Sequence, residues 1–186
     1  MSGCFVISGP PAAGKSTLAR WLAAARGWPL LAKDAYKERV FERLGADDRD
    51  WSRHVSQLAW DLLFDEAERW LAAGACCVLD GNFRPAEALR LQRLPVPPAR
   101  LVEIRCSAAP TVLLQRYRER AASGTRHSGH VDLEALPEIE AELAAASAAT
   151  GLALGGALLL YDTTDGFAPE ALDAQLRPLL RDWDSG

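Results

Sequence analysis

Long hydrophobic runs and a surplus of basic residues are both missing from this sequence. No apolar run approaches the roughly 18–20 residues that cross a bilayer, and no basic segment with a cleavage site precedes the first apolar run. We therefore expect a cytoplasmic protein. The formal net charge is −4, with 21 Lys and Arg against 25 Asp and Glu. Nonspecific binding to nucleic acid needs a basic electrostatic field, so the net charge disfavours a nucleic-acid-binding protein. It does not exclude a local site for a small phosphorylated substrate.

Cysteine is scarce and has no zinc-type spacing. The four cysteines are Cys4, Cys76, Cys77 and Cys106, and all lie in or beside predicted buried strands. An even number would allow two disulfides, but in a reducing cytosol we expect them to act as small hydrophobic residues.

Internal repeats and low-complexity linkers are also absent, and 186 residues suit one domain spanning 1–186. Apolar runs alternate with helical patterns. We predict strands over 3–8, 29–32, 76–79, 100–106 and 157–161, and helices over 15–26, 35–44, 51–73, 85–93, 110–122, 134–149 and 168–182. This alternation predicts an α/β fold with a parallel sheet and helices on both faces.

The segment GPPAAGKST follows the first predicted strand and precedes the first predicted helix. Its Gly9, Gly14, Lys15 and Ser16 match the P-loop pattern G-x-x-x-x-G-K-[ST]. In such a loop successive backbone N–H groups point at a phosphate, and a side chain at either glycine would crowd that cradle. The helix that follows adds its positive dipole end. The predicted nucleotide-binding residues here are Gly9, Pro11, Ala12, Ala13, Gly14, Lys15, Ser16 and Thr17.

Three side chains of the loop have distinct expected roles. Lys15 reaches the β- and γ-phosphates and acts in catalysis, while the Ser16 hydroxyl ligates Mg²⁺. We expect Thr17 to contact the α-phosphate. The predicted cofactors are thus ATP and Mg²⁺.

Asp34 and Lys37 follow the second strand in the segment KDAYK. Ligands bind outside the carboxyl ends of strands in open α/β sheets, so a carboxylate there can accept a proton from an attacking hydroxyl. Asp34 is therefore our candidate catalytic base, with a helix N-cap as the competing interpretation. Lys37, one turn later, is suited to hold an anionic acceptor.

Asp80 and Asn82 follow the third strand in the segment LDGNFRP. A carboxylate at the end of an apolar strand suits the position that orients Mg²⁺-bound water or a cation that binds substrate. We predict that Asp80 binds metal and substrate and that Asn82 binds the acceptor. A plain Asp-Gly turn is the alternative.

The predicted helix from Pro110 carries a run of arginines into a polar loop, and we expect a helical lid over about 110–135. Arg116, Arg120 and Arg126 would clamp phosphates, with Arg120 neutralising charge in the transition state. A solvated helix face is the ordinary alternative. His127 and His130 lie in the same loop, where they contact ligand or, less favourably, bind a metal.

Together the segments GPPAAGKST, KDAYK, LDGNFRP, LLQRYRER and YDTT resemble the P-loop kinases related to the 5′-kinase domain of bacteriophage polynucleotide kinase, over nearly the whole chain. Chloramphenicol phosphotransferase and zeta toxins are more distant relatives. The resemblance implies strand order 2-3-1-4-5. It also implies Asp34 as general base, Lys37 and Asp80 beside the acceptor, Arg116 and Arg120 on ATP phosphates, and Thr163 in the turn near adenine.

The expected activity is transfer of the γ-phosphate of ATP to a hydroxyl of a small acceptor such as an antibiotic, nucleoside or sugar. No guanine-binding NKxD motif is present. Lys37 stands where the polynucleotide enzyme has arginine, which weakens bidentate recognition of phosphate. A polynucleotide 5′-hydroxyl kinase remains an alternative, as does a nucleotide-dependent ATPase or switch that acts on a protein partner.

Overall fold

The structure is a computed structural model that describes residues 2–123, 127, 130, 132–145, 150–181 and 183. The predicted nucleotide ligand Arg126 lies outside these residues. The elements in chain order are β1 (Gly3–Ser8), α1 (Lys15–Arg26), β2 (Leu30–Ala32), α2 (Lys33–Leu44), α3 (Arg49–Ala72), β3 (Cys76–Asp80), α4 (Pro85–Leu91), a 3-10 turn (Pro98–Arg100), β4 (Leu101–Ser107), α5 (Pro110–Ser123), α6 (Asp132–Ala145), β5 (Ala157–Asp162) and α7 (Pro169–Leu180).

The five strands form one parallel sheet in the order β2-β3-β1-β4-β5, which confirms the predicted topology. From β1 the chain passes to the edge strand β2 and returns to β3, and it then crosses to the other side of β1 to form β4 and β5. The direction of travel across the sheet therefore reverses beside β1. Crevices open outside the carboxyl ends of strands at such a point. The loop after β1 lies at that position.

Alternate residues of β1 enter the two halves of the core. Phe5 and Ile7 pack with α1, α7 and the lid helices on one face, whereas Cys4 and Val6 pack with α3 and α4 on the other. All four side chains are fully buried. A strand covered on both faces reads as a continuous apolar run, which explains the pattern that predicted β1.

Three helices, α2, α3 and α6, begin two residues earlier than the sequence pattern indicates. α2 begins at Lys33 rather than at residue 35, directly from β2, with Ala32 at its N-cap. Asp34 is thus in the first helical turn and does not occupy the N-cap. α3 begins at Arg49 rather than at residue 51, because the side chain of Asp48 accepts a hydrogen bond from the Trp51 backbone N–H at 2.8 Å.

The four cysteines all lie in the described part of the chain, and there they are thiols that form no disulfide, as expected. Within the described part of the chain, every helix is too short or too polar to cross a bilayer.

Candidate active site

The loop between β1 and α1 has the backbone of an anion cradle. Ala12 and Gly14 have φ values of 62° and 77°, in the left-handed region, and α1 starts immediately after Gly14. Gly9 has a φ of 130°, and a Cβ there would lie 2.2 Å from the carbonyl oxygen of Cys106 in β4. The close approach of β4 therefore requires glycine at position 9. The P-loop pattern instead predicts that a side chain there would crowd the phosphate. A Cβ at Gly14 would meet Thr163 at an ordinary 3.6 Å, so its φ is the constraint there.

Thr163, in the turn after β5, holds this loop from behind. Its buried hydroxyl lies 3.2 Å from the carbonyl oxygen of Ala13 and 3.0 Å from that of Ser107. Arg116 of α5 donates to the Thr163 carbonyl oxygen at 2.8 Å. The turn that the resemblance assigns to adenine is thereby joined to both the P-loop and the lid.

Lys15, Ser16 and Asp80 meet at the carboxyl end of β3. Lys15 Nζ donates to the carbonyl oxygen of Pro10 at 2.7 Å, and its pKa is lowered by burial. Burial raises the pKa of Asp80, while a hydrogen bond from Ser16 and the charge of Lys15 oppose that rise. An ammonium, a hydroxyl and a carboxylate thus lie together beside the cradle.

Two lysines of α2 face two serines of α3. Lys33 Nζ donates to Ser56 Oγ at 2.9 Å, and Lys37 Nζ donates to Ser52 Oγ at 2.7 Å. Each pair is one helical turn from the other, since both helices carry the residues at i, i+4 spacing. Both lysines are more than 90% buried, with relative exposures of 7% and 6%. We call these four residues the lysine–serine ladder.

Asp34 lies beside the ladder at the start of α2. One carboxylate oxygen is 3.7 Å from Lys33 Nζ, and 47% of the side chain is exposed. A half-exposed carboxylate that faces a cleft is accessible to a reacting hydroxyl.

Ion pairs join α6 to α3 and to the N-cap residue of α4. Glu138 of α6 accepts a hydrogen bond from Arg49 of α3, and Glu142 pairs with Arg84 at 3.3 Å. Arg120 of α5 lies with its guanidinium carbon 4.9 Å from the centre of the Tyr117 ring.

The two lid histidines contact α2. His130 Nε2 is 2.9 Å from a carboxylate oxygen of Glu38, and His127 stacks on Phe41 with ring centres 5.3 Å apart. Among the described residues there is no cluster of His, Cys, Asp or Glu able to hold a metal ion.

One cleft of about 650 Å³ collects most of the predicted site. It is lined by the predicted residues Pro11, Ala12, Ala13, Gly14, Lys15, Ser16, Thr17, Asp34, Lys37, Asp80, Asn82, Arg116 and Arg120. Gly9 and Thr163 lie behind the loop rather than in this lining.

Sequence reasoning missed several lining residues: Arg20, Lys33, Arg49, Ser56, Arg84, Tyr117 and Glu138. The one available signal was the shared i, i+4 spacing of Lys33 with Lys37 and of Ser52 with Ser56. It becomes informative only when α2 and α3 are known to pack side by side. The chain has only three lysines, and all of them line this cleft.

Solved structures share the fold over nearly the full chain. A candidate kinase from Chloroflexus aurantiacus is 34% identical, with 97% of this chain and 99% of that chain covered and a TM-score of 0.83. Shikimate kinase of Acinetobacter baumannii, in complex with shikimate, is 18% identical over 98% and 95% of the two chains, with a TM-score of 0.56. A gluconokinase of Sinorhizobium meliloti is 19% identical over 99% and 98%, with a TM-score of 0.57. For the last two, the likeness concerns the fold alone.

Curated relatives and a family model agree with this fold. Adenylate kinase 8 of Mus musculus is 31% identical over 116 residues, and its Rattus norvegicus counterpart is 29% identical over 141 residues. The matches cover 60% and 73% of this chain but only 24% and 29% of those relatives, so the chain spans little more than a quarter of their length. The family model described as AAA domain matches residues 5–146. The chain therefore belongs to this AAA domain family of P-loop kinases.

Proposed function

We propose that this protein is an Mg²⁺- and ATP-dependent kinase that transfers the γ-phosphate to a hydroxyl of a small acceptor. One observation carries the proposal: a single cleft holds a P-loop lysine on one side and a half-exposed carboxylate, Asp34, on the other. The fold neighbours named for shikimate and gluconate support a small hydroxylated acceptor. A volume of about 650 Å³ also lies within the range of roughly 300–1,000 Å³ found for small-molecule sites.

The residues present fit Mg²⁺ bound together with a nucleotide. Mg²⁺ is usually held by one or two carboxylates, substrate phosphates and waters rather than by an all-protein cage. Ser16 and Asp80 provide a hydroxyl and a carboxylate joined by a hydrogen bond at the cradle. Ser16 and Asp80 would hold the metal ion, which would neutralise the negative charge that develops during phosphoryl transfer.

Asp34 accepts the proton of the attacking hydroxyl in this mechanism. The acceptor oxygen forms its bond to the γ-phosphorus as the bond to the leaving ADP oxygen breaks, so the proton ends on the carboxylate. Lys15 and Arg120 hold the phosphoryl oxygens and offset the charge that spreads over them.

The test compares Asp34→Asn with Asp47→Asn, which changes an exposed aspartate in the α2–α3 loop. ADP formation is measured with hydroxy acids, sugars, nucleosides, antibiotics and 5′-hydroxyl oligonucleotides. Asp34→Asn should bind ATP normally but lose at least about 100-fold in acceptor-dependent turnover, the usual size of a general-base effect. Asp47→Asn should match the parent. Equal transfer by Asp34→Asn and the parent would show that Asp34 is not the base.

A polynucleotide 5′-hydroxyl kinase is the second candidate, favoured by the eight basic side chains against three carboxylates in the cleft. The same assay separates the two candidates. An oligonucleotide that outperforms a nucleoside 3′-monophosphate would favour the polynucleotide activity, because only a longer chain can contact surfaces beyond the cleft.

A further inference from the structure

We propose that Thr163 is a positioning residue for the phosphates of the nucleotide, and that it acts through the peptide unit between Ala13 and Gly14. The inference rests on the nucleotide-binding part of the proposed function and deepens it. It replaces the role beside adenine that the resemblance implies for Thr163. The observation that carries it is the place of the Thr163 hydroxyl, which contacts the P-loop on the side opposite the cleft.

The two polar groups of one peptide unit point in opposite directions. The peptide bond between Ala13 and Gly14 is trans and planar, so the Ala13 carbonyl and the Gly14 N–H lie on opposite sides of the chain. The carbonyl faces the Thr163 hydroxyl at 3.2 Å. Ala13 and Gly14 line the cleft, and Thr163 lies behind them. The Gly14 N–H is therefore directed toward the cleft, where a phosphate oxygen can accept its hydrogen bond.

This peptide unit needs a contact that fixes its orientation. Gly14 has a φ of 77°, and glycine adopts positive and negative φ values about equally well. Rotation of the preceding peptide, which would turn the N–H out of the cleft, therefore meets little steric resistance at Gly14. The Thr163 hydroxyl opposes that rotation. Both Ala13 and Thr163 are buried, so breaking their hydrogen bond would leave polar groups unsatisfied away from water.

Arg116 directs the Thr163 hydroxyl toward the P-loop. Its Nη1 donates to Thr163 Oγ1 at 3.2 Å, and its Nη2 donates to the Thr163 carbonyl oxygen at 2.8 Å. A hydroxyl has one proton to donate. Because Arg116 donates to the hydroxyl oxygen, that proton is shared between the carbonyl oxygens of Ala13 at 3.2 Å and Ser107 at 3.0 Å. A residue of α5 thereby helps to orient a donor of the phosphate loop.

One substitution separates this hydroxyl from the rest of the turn. Thr163→Val keeps the branched shape of the side chain and removes the O–H. The Ser107 carbonyl still accepts from the backbone N–H of residue 163 at 2.8 Å, and Arg116 still has the carbonyl oxygen of residue 163 as acceptor. The contact with Ala13 is the one that is lost. Thr163→Ser restores the hydroxyl and removes only the methyl group.

The experiment is calorimetric titration in the presence of Mg²⁺ with two probes, a nonhydrolysable ATP analogue and inorganic tripolyphosphate, which has the phosphates without the base. The matched control is Thr111→Val, which removes an exposed hydroxyl of α5. The parent, the control and Thr163→Ser should bind both probes alike. Thr163→Val should lose at least about tenfold in affinity for each probe, because one hydrogen bond to a charged group is worth that factor or more.

The amide proton of Gly14 gives a second readout, one that a purely structural role would not change. In protein labelled with ¹⁵N-glycine, tripolyphosphate should move this proton downfield in the parent, because a hydrogen bond to an anion deshields it. The same shift should appear in Thr163→Ser. It should be lost in Thr163→Val even at concentrations of tripolyphosphate that saturate the site.

Four binding results overturn the proposal. A Thr163→Val variant that loses affinity for the ATP analogue alone would place the side chain at the base. Unchanged affinity for both probes, failure of Thr163→Ser to restore binding, or a parent that does not bind tripolyphosphate would contradict the positioning role. Thermal unfolding checks that each variant is folded. If Thr163→Val and Thr163→Ala both fail to fold, the hydroxyl serves the fold as a whole and the proposal is wrong.

Other results separate this inference from the kinase function. Hydroxyl-dependent binding of both probes, with no phosphate transfer by the parent to any acceptor, would support the role of Thr163 and contradict the kinase. Phosphate transfer by the parent, with unchanged probe affinity in Thr163→Val, would contradict the role of Thr163 alone.

Discussion

The Ser8 hydroxyl donates a 2.5 Å hydrogen bond to the buried carboxylate of Glu103. Ser8 is the last residue of β1, directly before the P-loop, and Glu103 lies in β4. The other carboxylate oxygen accepts from the backbone N–H of Leu152 at 2.7 Å. One buried side chain therefore joins the start of the phosphate loop to the segment that leads into β5.

Replacing Glu103 with leucine should leave the Leu152 N–H and the Ser8 hydroxyl without their acceptor. We expect the free energy of unfolding to fall by about 1–3 kcal/mol, the cost of buried polar groups left unsatisfied. Urea denaturation measures it, with Glu68→Leu on the exposed face of α3 as the control. A loss in Glu103→Leu no larger than in the control would contradict this role.

Gly9→Ala should damage the protein more than Gly14→Ala. The new Cβ at Gly9 would overlap the Cys106 carbonyl oxygen, and the strand pair would have to move apart. At Gly14 there is space, and the cost is the left-handed backbone, about 1–2 kcal/mol for alanine. Thermal unfolding of the nucleotide-free variants tests this order, and the reverse order would place the crowding in the phosphate cradle instead.

The P-loop could be predicted because its chemistry is local. The spacing of Gly14, Lys15 and Ser16 along the chain sets both the loop and the start of α1, so no tertiary information is needed. The central strands β1, β3 and β4 were likewise predictable, since strands buried on both faces are continuous apolar runs. The order of the strands came from resemblance, not from periodicity.

The acceptor side could not be predicted because it depends on how two helices pack. Lys33 meets Ser56 and Lys37 meets Ser52 only when α2 and α3 lie antiparallel. The partners are 23 and 15 positions apart in the chain, and periodicity along the sequence does not predict contacts at those separations. Thr163 is a similar case. Its contact with Ala13 joins positions 150 residues apart, so only the folded structure reveals it as a support for the P-loop.

Glu138 should give the lid a pH-dependent contribution to stability. A hydrogen bond from Arg49 lowers the pKa of this carboxyl below its usual 4.5, so the stabilisation is present above pH 4.5 and is lost as the pH falls through the lowered value. Half of the Glu138 side chain is exposed, so solvent screening keeps the effect below about 1 kcal/mol.

The difference in unfolding free energy between the parent and Glu138→Gln measures this contribution. It is determined from about pH 3 to about pH 7, which brackets the usual pKa values of carboxyl groups. It should shrink with acid and with added salt. Glu68→Gln controls for the loss of one negative charge. A difference that grows on acidification would have the wrong sign for this ion pair.

Thiol reactivity should distinguish one cysteine from the others. Burial raises the pKa of Cys106 to about 12 and also raises that of Cys76. A hydrogen bond with Cys77, together with burial, raises the pKa of Cys4, and thiolate is the reactive form. Cys76 is the only one of the four that is not fully buried. At pH 8 the native protein should therefore react with a chromogenic disulfide reagent at no more than one thiol, and the unfolded protein at four. Rapid reaction of two or more native thiols would contradict the buried arrangement of β1, β3 and β4.

The most direct test of the central claim is calorimetric titration of the protein with ATP in the presence of Mg²⁺, beside Lys15→Met and the surface control Arg43→Met. Binding by the parent and the control, with a loss of at least about tenfold in Lys15→Met, is the predicted result, because removal of a buried charged partner costs more than about 1.4 kcal/mol. No measurable affinity of the parent for ATP or any other nucleoside triphosphate would contradict the account.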